Sequence, residues 1–190
     1  MPRQADPRNK AVRTAGRLFS EQGYSATGLA QIIEESGSPK GSFYFHFPGG
    51  KEQLATEAVT ASGMAITAAL RELLTDARSP AELLRTYLTL QVRQLAESDF
   101  RRGCPVATVA LEMSASSEPI RAAAARVFDS WVEVFAEALR GAGHQPEAAQ
   151  SLARHMVAAF EGALLLARTV RSMRPLHDTE NALRGLLEPR

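Results

Sequence analysis

Residues 35–54 read ESGSPKGSFYFHFPGGKEQL, and an unusual cluster of side chains lies at the centre of this stretch. Four aromatic residues and a histidine occupy five successive positions: Phe43, Tyr44, Phe45, His46 and Phe47. Lys40 and Lys51 flank them. A helix inside a core does not need two lysines and a histidine so close together, and a surface loop does not need three phenylalanines. The segment is therefore predicted to pack one face inside the protein and to present the other to a partner.

The segment forms the second half of a predicted helix-turn-helix. Pro7 precedes a first helix, and glycine or proline breaks end it and the next two helices, all within residues 8–47: Gly23, Gly37 and Pro48-Gly49-Gly50. Thr27 is predicted to cap the second helix, and Ser38 the third, with Pro39 at its first position. A supporting helix, a turn with glycine and a second short helix form the geometry that places a helix in a DNA groove.

No stretch of the chain alternates like a strand, so the fold is predicted to be all-α with about nine helices. The predicted helices after residue 50 have these bounds: 51–75, 80–97, 105–113, 118–140, 146–173 and 179–187. Gly63 is the weak point of the first of them. The predicted division is a DNA-binding domain over residues 1–50 and a second helical domain over residues 51–190.

Residues 8–54 resemble the DNA-binding head of the TetR family of transcriptional regulators. An ordered set of residues carries the resemblance: Phe19, Gly23-Tyr24, Thr27, Ile32, Gly37, Gly41, Phe43-Tyr44, Phe47 and Lys51-Glu52. The body is similar to the LmrA/YxaF branch in its "RRGCPVATVALEM" at 101–113 and in the extra glycine of "FPGGK" at 47–51. The resemblance implies a regulator, usually a repressor, that binds a palindromic operator as a homodimer and is released by a small hydrophobic or aromatic effector.

The third helix is predicted to serve both the core and the DNA. Phe43 and Phe47 are four positions apart and share a face, which is expected to pack inside the head. The residues expected at the DNA lie outside that face or flank the helix: Thr27, Lys40, Gly41, Ser42, Tyr44, His46 and Lys51. Lys40 and Ser42 are expected at base edges, Gly41 allows close approach, and the resemblance places the others at phosphates. For Phe45, both packing and DNA contact remain open.

The charge distribution agrees with a polyanionic partner at one end of the chain. Residues 1–51 contain seven basic and four acidic residues, whereas the net charge of the whole chain is only +1. The alternative is a solvated face that happens to be basic. Each proposed DNA contact has a similar alternative: Tyr44 as a cover for the core, His46 as a surface histidine, and Thr27 as an N-cap alone.

The body is predicted to hold a dimer interface and an effector pocket. Residues 156–167, MVAAFEGALLLA, are apolar almost all round a helix, which suggests burial on more than one side. The interface is expected to include Ala158, Ala159, Gly162, Ala163 and Leu166; the alternative is the central core helix of a monomer. The resemblance also implies that residues 51–190 form a ligand-binding and dimerisation domain with an effector pocket. The residues that could line this pocket are Tyr87, Val106, Val109, Met113, Phe128, Trp131, Phe135, Met156 and Phe160, with plain core packing as the alternative.

Other functional classes find little support. No HExxH, GxSxG or phosphate-loop pattern is present, and the four histidines have no metal-ligand spacing, so no enzyme, metal site or cofactor is predicted. Cys104 is the single cysteine; with Arg101 and Arg102 nearby it leaves a redox-responsive regulator as an alternative, beside one that senses a protein partner. The lack of a signal peptide or an apolar span predicts a cytoplasmic protein without membrane contact.

Overall fold

The computed structural model describes residues 6–187, and for Ser42 it describes the backbone alone. Nine α-helices form the secondary structure of this range. Their bounds are α1 Pro7–Gln22, α2 Leu29–Ser36, α3 Lys40–His46, α4 Gly50–Asp76, α5 Pro80–Glu97, α6 Pro105–Met113, α7 Glu118–Gly141, α8 Pro146–Val170 and α9 Arg174–Arg184. No strand occurs within this described range. The predicted all-α fold is confirmed.

Local capping explains where several helices begin and end. Side chains accept a hydrogen bond from the first turn at the start of four of them: Asp6 at α1, Ser79 at α5, Cys104 at α6 and Ser117 at α7. Proline follows within the first turn of α1, α5, α6 and α8. Gly37 ends α2 in the left-handed conformation, with a φ of 64°. The predicted bounds of these helices are close to the observed ones.

Three details of the helix prediction are wrong. Neither Thr27 nor Ser38 is an N-cap, because α2 begins after Gly28 and α3 after Pro39, without a side-chain cap at either. The Ser38 hydroxyl instead donates to the Pro7 carbonyl at 3.4 Å. Helix α9 begins at Arg174 rather than after Thr179, with a proline in its first turn that favours this start.

The chain forms two compact units. The first contains residues 6–64 and 104–126, and the second contains residues 65–103 and 127–187 of the described range. Helices α4 and α7 each contribute residues to both units. The predicted functional boundary after residue 50 stays a prediction.

In the first unit, α1 packs against α2, α3 and α6. Its core is made of side chains that are almost wholly buried: Leu18, Phe19, Ile32, Phe43, Phe47, Leu54, Val106, Val109 and Ile120. A hydrogen bond of 2.5 Å joins Ser117 Oγ to Glu52 Oε1, so the residue that caps α7 also holds the beginning of α4.

In the second unit, α9 packs against α5 and α8. Aromatic and aliphatic side chains from α5, α7, α8 and α9 fill its core: Leu83, Leu84, Tyr87, Trp131, Phe135, Leu139, Met156, Phe160 and Leu176. No helix in the described part of the chain is long and apolar enough to cross a bilayer.

Candidate nucleic-acid interface

Helix α3 has one buried face, as predicted. Phe43 and Phe47 are 1% and 0% exposed, and their ring centroids are 5.0 Å apart. Leu18 and Phe19 of α1 and Ile32 of α2 are buried in the same unit. The two phenylalanines therefore fix the orientation of this seven-residue helix, whose first turn has no side-chain cap.

The other face of α3 is open to solvent. Lys40, Gly41, Tyr44 and Phe45 are exposed, and a Cβ atom added to Gly41 would meet no heavy atom within 4 Å. The Phe45 side chain is 83% exposed, so the alternative that it packs in the core is wrong. The side chain of Ser42 lies outside the described part of the structure. The accessible surface of α3 is thus formed by Lys40, Tyr44 and Phe45 together with Gly41, which has no side chain.

His46 and Lys51 lie beside this surface in different environments. The His46 ring is half-buried, with its centroid 5.4 Å from that of Phe45 and 6.4 Å from that of Phe47. Lys51 Nζ donates to the Tyr24 carbonyl at 2.7 Å and lies 4.1 Å from the centroid of the Tyr24 ring. Burial lowers the pKa of Lys51, and the charge of Glu112 opposes that shift. Lys51 therefore supports the turn between α1 and α2.

The position of Thr27 differs from the prediction. Its side chain is fully buried, and Oγ1 donates to the Gly23 carbonyl at 2.6 Å and accepts from Gln22 Nε2 at 3.2 Å. Short hydroxyl side chains often bond to a nearby backbone group in this way and so stabilise a turn. In this structure Thr27 holds the loop between α1 and α2 and does not present its hydroxyl to a phosphate.

Two arginines of α1 are held by carboxylates. Arg8 lies 2.7 Å from Glu57 and 5.6 Å from the Phe47 ring centroid, and Arg17 bonds to both Glu21 and Glu35. These ion pairs offset part of the positive charge of residues 1–51. Lys40, whose side chain is exposed on α3, is a more direct source of positive potential for DNA.

Glu112 makes a contact that no sequence pattern indicates. This residue of α6 accepts hydrogen bonds from the backbone N–H groups of Tyr24 and Ser25, at 2.9 and 2.8 Å. The partners are 88 and 87 positions apart in the chain. Folding places the end of α6 beside the turn between α1 and α2, and this contact is visible only in the three-dimensional structure.

The residues predicted to line an effector pocket are divided between the two units. Tyr87, Phe128, Trp131, Phe135, Met156 and Phe160 belong to the second, and Val106, Val109 and Met113 to the first. In the second unit, the Tyr87 ring centroid is 5.0 Å from that of Phe160 and 6.3 Å from that of Phe135, while Phe128 meets Trp131 edge-on at 5.4 Å. The aromatic residues thus form two groups of ring contacts, and the role of all these residues as a pocket stays a prediction.

Helix α8 carries an exposed apolar stripe. Among the predicted interface residues, Ala158, Gly162 and Leu166 are exposed and Ala159 is partly exposed. Ala163 is only 3% exposed and lies on the side of α8 that packs into its own chain, so it does not belong to this stripe. Leu165 and Val170, which were not predicted, extend the stripe with exposures of 56% and 59%.

Cys104 has a structural role in the first unit. Its side chain is 7% exposed, and Sγ accepts from the backbone N–H of Ala107 at 3.3 Å, which caps α6. No group of three or more histidine, cysteine or carboxylate side chains with a metal-binding arrangement occurs in residues 6–187.

Comparison with protein families agrees with this geometry. Residues 11–58 match the model of bacterial regulatory proteins of the tetR family, and residues 80–182 match that of the C-terminal domain of LmrA/YxaF-like transcriptional regulators. The first match contains α2 and α3, and the second extends from the start of α5 into α9. Helix α3 therefore lies within the part of the chain that matches the tetR-family model.

Individual relatives resemble the chain over almost its full length. The HTH-type transcriptional regulator YxaF of Bacillus subtilis is 39% identical, with 93% of this chain and 92% of that protein covered. The regulator LmrA of the same organism is 39% identical, with coverage of 96% and 97%. A TetR regulatory protein from Rhodobacter sphaeroides, 28% identical, superposes with a TM-score of 0.83 over 92% of this chain and 95% of its own. The chain belongs to the TetR family of transcriptional regulators, with a helix-turn-helix DNA-binding domain and a C-terminal domain of the LmrA/YxaF type, and is not an enzyme.

Proposed function

We propose that this regulator is a cytoplasmic repressor that binds a palindromic operator as a homodimer and leaves it when a small hydrophobic or aromatic effector binds the body. The observation that carries the proposal is that α3 has one buried face and one exposed face. Its buried phenylalanines hold the helix in the head, and its opposite face leaves Lys40, Tyr44 and Phe45 exposed beside Gly41. A helix with this arrangement can enter the major groove.

The exposed side chains have distinct roles in this proposal. Lys40 and Ser42 lie in the first turn of α3 and reach base edges, with Lys40 donating to guanine O6 or N7. Phe45 contacts a thymine methyl group, the apolar feature of the major groove. Tyr44, His46 and Lys51 bind phosphates and thereby fix the position of the head on the duplex. Thr27 supports the turn from within the head.

The stripe on α8 supports the homodimer. Ala158, Gly162, Leu165, Leu166 and Val170 follow a helical spacing and place small and aliphatic side chains in water, where a second α8 of the same kind would cover them. A two-fold dimer presents two copies of α3, which must lie about 34–36 Å apart to enter successive major grooves. Two copies of one recognition helix read the two halves of a palindrome.

The composition of the second unit supports the proposed class of effector. The ring of Tyr87 contacts the rings of both Phe135 and Phe160, and all three side chains are buried in the second unit. Such surroundings favour an apolar or aromatic compound over a charged one. An effector shifts the protein away from its DNA-binding conformation only if it binds the other conformation more tightly. To change the ratio of the two conformations from 1:99 to 99:1, its affinity for the favoured conformation must be about 10⁴-fold higher.

The dependence of DNA affinity on salt tests the proposal and the role of Lys40. Duplexes selected from a random pool by the wild-type protein would be titrated between about 50 and 200 mM salt, a range over which six to ten phosphate contacts weaken binding about 10³- to 10⁵-fold. If Lys40 reads a base, Lys40→Ala should relax preference at one base pair per half-site by about 1–3 kcal/mol. If it holds a phosphate, the variant should weaken all sequences alike and flatten the salt slope by about one unit.

A matched control separates these effects from the loss of any surface cation. Arg93→Ala removes a positive charge from α5 that is paired with Glu97, far along the chain from α3. It should leave the salt slope and the preference unchanged. Failure of the wild-type protein to select any duplex, or binding that is insensitive to salt, would reject the proposed function.

A further inference from the structure

Glu112 makes an unusual contact for an exposed residue near the end of a short helix. Each oxygen of its carboxylate accepts one backbone hydrogen bond: Oε1 from Tyr24 at 2.9 Å and Oε2 from Ser25 at 2.8 Å. These consecutive N–H groups belong to the turn between α1 and α2. The two hydrogen bonds to one carboxylate, termed the Glu112 contact below, are charge-assisted and therefore stronger than bonds between neutral groups.

The surroundings of the turn fit this carboxylate. Gly23 has a φ of 84°, and a Cβ atom at that position would lie 2.2 Å from Glu112 Oε1. The glycine therefore allows both the backbone conformation and the close approach of the carboxylate. Lys51 donates a hydrogen bond to the carbonyl of Tyr24. The same turn is therefore held by a cation at a carbonyl group and by an anion at two N–H groups.

The electrostatics agree with this geometry. Burial alone would raise the pKa of Glu112, but hydrogen bonds from Ser25 and Tyr24 and the charge of Lys51 together lower it below the usual range. Glu112 is therefore ionised at neutral pH. The ionised form is the one that accepts two N–H groups at once.

The Glu112 contact joins two parts of the sequence that belong to different family domains. Tyr24, Ser25 and Lys51 lie within residues 11–58, the DNA-binding match, and Glu112 lies within residues 80–182, the LmrA/YxaF-like match. All four residues nevertheless fold into the same compact unit. Helix α6 also packs against α1, and its Val106 and Val109 are fully buried. Helix α6 is therefore anchored in the core of the first unit and ends beside the turn between α1 and α2.

We infer that Glu112 is the positioning residue that couples α6 to the helix-turn-helix, so that a displacement of α6 is transmitted to the turn before α2 and, through α2, to α3. Hydrogen bonds at 2.8–2.9 Å lose most of their strength when stretched beyond about 3.5 Å. A shift of α6 by less than 1 Å therefore either moves the turn or breaks the contact. The inference rests on the proposed function for its DNA partner, and it identifies the residue through which the body acts on the head.

Hydrogen–deuterium exchange of the full chain tests both the contact and the coupling. In the free protein, Glu112→Ala should speed exchange at the Tyr24 and Ser25 amides about 10- to 100-fold, as expected for the loss of hydrogen bonds to a charged group. Glu112→Gln should give a smaller increase, because its amide oxygen still accepts one N–H. Glu118→Gln is the matched control, since this exposed carboxylate of α7 pairs with Arg121 and not with the turn.

The coupling is measured with a duplex selected from a random pool by the wild-type protein. Binding should slow exchange in residues 105–113 as well as in α3 of the wild type and of Glu118→Gln. In Glu112→Ala at saturating duplex, α3 should still be protected while residues 105–113 no longer respond. An equal response of α6 in Glu112→Ala and wild type, or unchanged exchange at Tyr24 and Ser25, would overturn the inference.

The two proposals fail in different ways. A wild-type protein that selects no duplex would reject the proposed function and the coupling to DNA with it. A wild-type protein that binds its duplex while α6 exchange stays constant would reject the coupling alone. Circular dichroism of each variant shows whether a change in exchange reflects general unfolding, in which case the buried α1 amides would exchange faster too.

Discussion

Phe43 and Phe45 are two positions apart on α3, yet their side chains have opposite environments. Phe43 is 1% exposed and Phe45 is 83% exposed. An aromatic side chain held in water loses the stabilisation that burial would provide, about 25 cal/mol per Å² of apolar surface. Its exposure on the same face as Lys40 and Tyr44 supports the proposal that Phe45 contacts DNA.

The two phenylalanines therefore offer a matched pair of substitutions. Phe45→Ala should leave the free energy of unfolding within about 0.5 kcal/mol of the wild type, since it removes few internal contacts, and it should weaken operator binding. Phe43→Ala should destabilise the protein by about 3–5 kcal/mol through loss of burial and creation of a cavity. Urea unfolding and DNA titration of both variants check this; a Phe45→Ala variant with wild-type operator affinity would remove Phe45 from the DNA-binding residues.

At the scale of elements, glycine, proline and hydrophobic spacing predicted the existence of all the observed helices, because these signals are local. The caps of α2 and α3 could not be predicted in this way. Thr27 and Ser38 can each bond to several backbone groups, and the choice of the Gly23 and Pro7 carbonyls depends on how the helices pack. The Glu112 contact could not be predicted for the same reason, since nothing in a sequence pairs residue 112 with residues 24 and 25.

Helix α8 carries the exposed apolar stripe that we propose as the dimer interface. Ala158→Glu would place a carboxylate in the apolar stripe, and Ala61→Glu makes the same change at an exposed position of α4. An unpaired charge in an apolar interface is costly, so Ala158→Glu should shift the protein to monomer and weaken binding to a palindromic duplex, whereas Ala61→Glu should not shift it. Sedimentation at micromolar concentration measures the state; a monomeric wild type would contradict the proposed dimer.

At the scale of the whole molecule, the stability of the fold should respond to acid through Glu112. Its pKa is lower in the folded protein than the usual value of about 4.3, so its contribution is present above that pH and lost as pH falls further. The difference in thermal midpoint between the wild type and Glu112→Gln should stay constant from about pH 7 to 5 and shrink below about pH 4. Glu72→Gln, at an exposed position of α4, is the control. A difference that does not change with pH would show that Glu112 stabilises the fold by packing and not by charge.

Trp131 is the single tryptophan of the chain, and it is 2% exposed in the second unit, edge-on to Phe128. The protein therefore carries one indole fluorophore, located among the residues proposed for the effector pocket and absent from the helix-turn-helix. Excitation at tryptophan wavelengths reports on the body alone. Its emission should shift to the red when the second unit unfolds, and quenching by an added aromatic compound would identify ligands of the body without any DNA in the sample.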